Sequence, residues 1–126
     1  MIHADLNPFN FVVQRGRVGV IDFDDCGWGY HLYDVAVMLC ALHHHVQDSR
    51  RRLELRDAYL DGYTGMRPFP SGAENLLAAF VAFREMTILK FILESPNPNV
   101  HRWGPRRVNE ALHWIERYLE GGALEG

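Results

Sequence analysis

The sequence predicts an α+β chain, mainly α, with one short β-hairpin near the start and about four helices after it. Three observations carry that prediction. Two apolar runs, Phe11-Val12-Val13 and Val18-Gly19-Val20-Ile21, flank a glycine-containing turn over Gln14–Arg17, which is the signature of a hairpin. From Leu32 onward the apolar residues recur at helical spacing instead of alternating. Clusters of glycine, proline and serine then separate the periodic stretches from one another.

The composition fits a folded domain. A length of 126 residues suits one domain, and 48% apolar residues are enough to build a core. Charged residues at 23% argue against disorder. The formal net charge of −3 offers no attraction for nucleic acid or an anionic membrane. The run Arg50-Arg51-Arg52 is followed by Glu54 and Asp57 and reads as a solvated helix face. The two cysteines, Cys26 and Cys40, form no C-x-x-C pair, which excludes a zinc ribbon and fits free thiols in a reducing cytoplasm. No secretory apolar region follows Met1. The longest apolar stretch, near Leu76–Leu93, is broken by Arg84, Glu85 and Lys90 and is no membrane span.

Taken in order, the hairpin brings its two outer ends side by side, so that Asp5 and Asn10 at one end face Asp22 at the other. Gly27-Trp28-Gly29 then forms a loop in which the glycines serve either a close backbone approach or a plain turn. A helix is predicted from about Leu32 to Val46, with Val35, Met38, Leu39, Leu42 and Val46 on one face and Asp34 in its first turn, where the helix dipole favours a carboxylate. His43-His44-His45 point about 100° apart on a helix and cannot converge on one ion. They read as a solvated helix end.

A second helix is predicted from about Ser49, as its cap, to Gly62, with Gly62 and Gly65 ending it and Pro68 and Pro70 making a rigid linker. Ser71-x-x-Glu74 reads as a capping box opening the longest helix, about Ala73 to Glu94. That helix is apolar nearly all round, with Arg84 embedded, and so expects neighbours on several sides. Arg84 and Glu85 read as a core-edge ion pair. Ser95-Pro96-Asn97-Pro98-Asn99 stops the helix, Gly104-Pro105 starts the last one, and Gly121-Gly122 ends it.

The chemistry concentrates at the hairpin. Asn10 and Asp22 offer the hard oxygen donors that magnesium prefers, and Asp5 is placed to accept a proton from an attacking hydroxyl. An Asp, an Asn five positions on and an Asp beyond a hairpin is an arrangement used for phosphoryl transfer. Each residue also has a plainer reading: Asp5 as a turn former ahead of Pro8, Asn10 as a turn cap. Burial of Asp22 beside Asp24 and Asp25 would be costly without a cation or donors. Asp24 is either a carboxylate behind the metal ligands or simply exposed, and Asp25 caps the loop.

His3-x-Asp5-x-x-x-x-Asn10, Ile21-Asp22-Phe23-Asp24-Asp25-Cys26-Gly27 and Tyr33-Asp34-Val35-Ala36 together resemble the aminoglycoside phosphotransferase family, whose kinase-like fold also serves choline-kinase-like and homoserine-kinase-like members. The resemblance is dense over residues 2–37 and loose beyond. It implies Asp5 as catalytic base, Asn10 and Asp22 as Mg2+ ligands, His3 and Asp34 as structural supports of the catalytic loop, ATP (or GTP) as phosphate donor and a small-molecule hydroxyl as acceptor. For Asp34, stabilisation of the helix dipole alone is the other explanation. Arg84 lies where such proteins shape the acceptor pocket.

The resemblance also implies a partial C-terminal lobe over residues 1–120, with the catalytic and metal loops and hairpin in 1–30, the helical part in 31–120 and a flexible tail in 121–126. No glycine-rich nucleotide loop or phosphate-gripping lysine motif is found, so little turnover is expected from this chain alone. Two other readings stand beside that one: a non-catalytic helical module that self-associates as a homodimer, and a pseudokinase-like binder of metal or nucleotide.

Overall fold

The computed structural model describes residues 1–121. Its first residues are extended, and Ile2 exchanges two backbone hydrogen bonds with Gly27, at 2.8 and 3.1 Å. A Cβ on Gly29 would collide with the Ile2 side chain, so of the two readings of this loop the close approach applies at Gly29. A single 3-10 turn over Pro8–Asn10, capped by the Asn7 side chain, leads into strand β1 (Phe11–Gln14), which pairs antiparallel with β2 (Arg17–Val20). The two residues between them, Arg15 and Gly16, both have positive φ (50° and 74°), the backbone of the tight turn that matches strand twist. The ladder continues one step beyond the strands, where Ile21 N–H donates to Asn10 O at 3.0 Å.

Four helices follow: α1 (His31–His45), α2 (Ser49–Met66), α3 (Ala73–Glu94) and α4 (Pro98–Leu119). Helix α1 packs along α3, α3 packs in turn on α4, and α2 lies against α1. The core forms where Leu32, Val35 and Ala36 of α1 meet Ala73, Leu77 and Val81 of α3, with Tyr59, Tyr63 and Trp114 closing its edges. Burying Val35 completely contributes about 1.5–3 kcal/mol. Val37 and Cys40 are buried as well, off the stripe read from the sequence, because α1 has neighbours on more than one side.

The helix boundaries differ from expectation at four points. Asp48, not Ser49, caps α2, accepting the Arg51 amide at 3.2 Å. Helix α2 runs past Gly62 and Gly65 to Met66, since a glycine costs only about 1 kcal/mol in a helix and Tyr63 packs on Phe69 (5.3 Å between ring centroids) to hold the last turn. The Ser71–Glu74 capping box does not form: Gly72, left-handed at φ 75°, is itself the N-cap, which leaves Ser71 one residue outside. Helix α4 begins at Pro98, capped by Asn97, and not at Gly104-Pro105. Pro105 sits inside it, and Gly104 is used for packing: a Cβ there would lie 2.8 Å from Ile92 Cγ2 of α3.

Arg50 and Arg51 are solvated and pair with Glu54, as expected of a solvated face, whereas Arg52 turns in to donate to the Val46 carbonyl at 3.1 Å. Both cysteines are free thiols. No helix among the described residues is long and apolar enough to cross a membrane. Gly121 lies in the turn that closes α4; the rest of the expected tail, residues 122–126, lies outside the described residues.

Candidate active site

The loop ahead of the hairpin is held from below by α1. Asp34, in the first turn of α1, accepts the backbone amides of His3 (2.9 Å) and Ala4 (2.7 Å) on its two carboxylate oxygens. Ala4 adopts φ 67°, a left-handed conformation that costs a non-glycine residue roughly 1–2 kcal/mol. The buried His3 ring lies across the same loop, with Nε2 2.9 Å from the Ile21 carbonyl and Nδ1 3.3 Å from the Asp5 amide. It thereby connects the loop to the far strand of the hairpin.

This scaffold presents Asp5 with its carboxylate held on both edges. Oδ2 accepts from the side-chain amides of Asn10 (3.0 Å) and Asn7 (3.1 Å). Oδ1 accepts from Nη2 of Arg84, which reaches across from α3. Burial disfavours the charged guanidinium, but Asp5 and Tyr33 beside it more than offset this, so the Arg84 pKa is raised and the group stays cationic. The Asp5 side chain remains 26% exposed. It borders a cleft of about 850 Å3 that Asp25, Arg84, Trp103 and Glu110 also line.

Asn10 is buried, and its amide nitrogen is committed to Asp5. Its Oδ1 accepts no hydrogen bond among the described residues. Asp22 follows the Asn10–Ile21 pair at the base of the hairpin and has φ 64°. Among the described residues three non-glycine residues have positive φ: Ala4, Arg15 and Asp22. One serves the hairpin turn, and the other two, Ala4 and Asp22, precede Asp5 and end the ribbon; unusual backbone of this kind gathers at functional sites. Asp22, Asp24 and Asp25 are all exposed, so the desolvation cost expected for Asp22 does not arise. The Asn10 side-chain carbonyl and the exposed Asp22 carboxylate are oxygen donors of the hard type that Mg2+ takes.

Two expectations are corrected. Arg84 and Glu85 do not pair with each other. Adjacent helix residues point about 100° apart, and while Arg84 reaches Asp5, Glu85 points elsewhere and is 1% exposed among Cys40, His44 and Arg107. Nor are the three histidines a solvated helix end. His44 is inward, with its ring nitrogens 2.9 Å from Glu85 and 3.1 Å from Glu110, and His43 packs edge-on against Trp114 at 4.8 Å. Only His45 is exposed, edge-on to Phe9. The Asn7 contact to Asp5 went unread in the sequence, although an Asn ahead of Pro8 is a turn signal. The inward His44 had a signal too: Cys40-x-x-x-His44 puts both residues on one helix face.

The profile of the phosphotransferase enzyme family matches residues 1–69, more than half of the chain, and the chain belongs to that family. An uncharacterized protein of Deinococcus radiodurans is 33% identical over 85 residues, a match covering 67% of this chain and 25% of the relative. The chain thus spans about a quarter of that relative's length. No solved structure matches it.

Proposed function

We propose that this chain carries the acceptor-activating and metal-binding half of a phosphotransferase of the aminoglycoside phosphotransferase type, which moves the γ-phosphate of ATP (or GTP) to a small-molecule hydroxyl. The single observation that carries this reading is the Asp5 carboxylate, oriented by Asn10 at 3.0 Å in a loop that Asp34 pins. Arg84 and the two asparagines occupy three of the roughly four acceptor sites of the Asp5 carboxylate, and the remaining one on Oδ1 would serve an acceptor hydroxyl in the cleft that Asp5 lines.

In the proposed reaction the acceptor oxygen attacks the γ-phosphorus. The new O–P bond forms as the bond to the β-phosphate oxygen breaks, the nucleoside diphosphate leaves, and the hydroxyl proton passes to Asp5. Asn10 and Asp22 would hold Mg2+, which supplies charge neutralisation to the phosphates when bound. Asp24, which is exposed, would stand behind that pair. His3 and Asp34 position the loop and touch no reactant. The exposed apolar side chains of the hairpin and its following loop, Val13, Val18 and Trp28, are the surface that further protein, whether another lobe or a second copy, would cover. The free thiols fit a reducing, cytoplasmic setting.

Titration calorimetry with ATP tests this, run with and without Mg2+. Binding is expected only with the metal and is lost in Asp22→Ala. Binding that is indifferent to Mg2+, or unchanged in Asp22→Ala, overturns the reading.

A further inference from the structure

The chemistry at Asp5 leaves unused a polar cluster buried where α1, α3 and α4 meet. Cys40 and His44 stand one turn apart on α1, and Glu85 faces them from α3. Cys40 Sγ lies 2.8 Å and His44 Nε2 2.9 Å from the same oxygen, Glu85 Oε1, and all three donor atoms lie within 4.8 Å of one another. We propose that Cys40, His44 and Glu85 form a binding site for a borderline-soft divalent transition ion of the zinc class, with a fourth position open toward the cleft.

Four features of the cluster support a metal site over a purely structural network. The donor set is mixed sulfur, nitrogen and oxygen, which selects zinc or cobalt and is distinct from the all-oxygen set at Asn10 and Asp22. The second nitrogen of His44 is 3.1 Å from Glu110 Oε2, the carboxylate–imidazole contact that orients a metal-ligating histidine and fixes which nitrogen is free. Arg107 binds Glu85 through the other oxygen, Oε2, at 2.6 Å and so leaves Oε1 to act as a single-oxygen ligand. Finally, Cys40 and His44 both line the 850 Å3 cleft, which provides an entry path and room for a water at the fourth position.

The exchange involves no oxidation. The ion takes the place of the Cys40 thiol proton, which is released to water, and binds the neutral His44 ring at Nε2, with the single ring proton on Nδ1 facing Glu110. Metal–ligand bonds of about 2.0–2.3 Å hold the donor atoms slightly further apart than these hydrogen bonds do, an adjustment within reach of side-chain rotation. The charge of the ion and that of Arg107 then face the Cys40 thiolate and the carboxylates of Glu85 and Glu110, which keeps the buried cluster close to neutral.

Cobalt titration of the full chain carrying Cys26→Ser tests the site. That substitution removes the exposed thiol, so any thiolate-to-cobalt absorption reports Cys40. The expected result is a near-ultraviolet charge-transfer band with tetrahedral visible bands, saturating at one equivalent and bleached by zinc. Adding Glu110→Gln at the rim of the cluster is expected to weaken cobalt binding about 10–100-fold. Absence of the band in the folded chain, or an affinity unmoved by Glu110→Gln, overturns the proposal. Neither measurement involves ATP or magnesium, so the outcome is separate from the phosphotransferase reading.

Discussion

The carboxylate of Asp34 accepts the amide of Ala4 at 2.7 Å, 30 residues away along the chain, and holds it in a left-handed conformation directly before Asp5. The same carboxylate takes the His3 amide, so one side chain satisfies two consecutive backbone donors. This explains how a strained alanine persists: each hydrogen bond to a charged group is worth about 1.5–3 kcal/mol, enough to offset the backbone cost.

Asp34→Asn presents an N–H to one of these amides and leaves it without an acceptor. It is expected to lower unfolding stability by about 1–3 kcal/mol and to speed hydrogen exchange at Ala4 and Asp5. Denaturant unfolding and exchange measured by NMR check both effects.

Arg84 and Asp5 are coupled across 79 residues of sequence, and both side chains are largely shielded. A double-mutant cycle of Asp5→Ala and Arg84→Ala is expected to return a coupling energy of about 0.5–3 kcal/mol. Additive single and double variants would show that the two groups do not interact in solution.

Burial is the main cause that lowers the His43 pKa from an ordinary 6.5 to about 4, with His44 and Arg52 adding to it and Glu85 and Glu110 opposing it. The fold therefore prefers the neutral ring. Below pH 6.5 the unfolded chain takes up a proton that the folded chain resists, so stability rises with pH between about 4 and 6.5. His43→Gln is expected to flatten that part of a plot of melting temperature against pH, with little change above pH 7.

Gly104 lets α4 approach Ile92 of α3. Gly104→Val puts two branches into a space too small for one methyl group and is expected to cost roughly 1–3 kcal/mol by overpacking. Gly62→Val, at an exposed helical position with nothing nearby, provides the control and is expected to change stability far less.

The local parts of the site were readable because their geometry is short-range. Arg15-Gly16 closes a two-residue turn, and that turn alone sets Asn10 opposite Ile21, next to Asp22. The interior of α3 and the start of α1 followed from periodicity. Helix ends were less readable, because several residues can serve as a cap and only one is chosen. Gly72 displaced Ser71, and Asn97 displaced Gly104-Pro105.

Residue order thus decided the hairpin, the spacing of Asp5, Asn10 and Asp22, and the helical character of the rest, since turn chemistry and side-chain period act over a few residues. It could not decide that Arg84 serves Asp5 while its neighbour Glu85 joins Cys40 and His44. Those pairings depend on how α3 is rotated between α1 and α4. That rotation is set by the summed burial of side chains far apart in sequence, which no local pattern records.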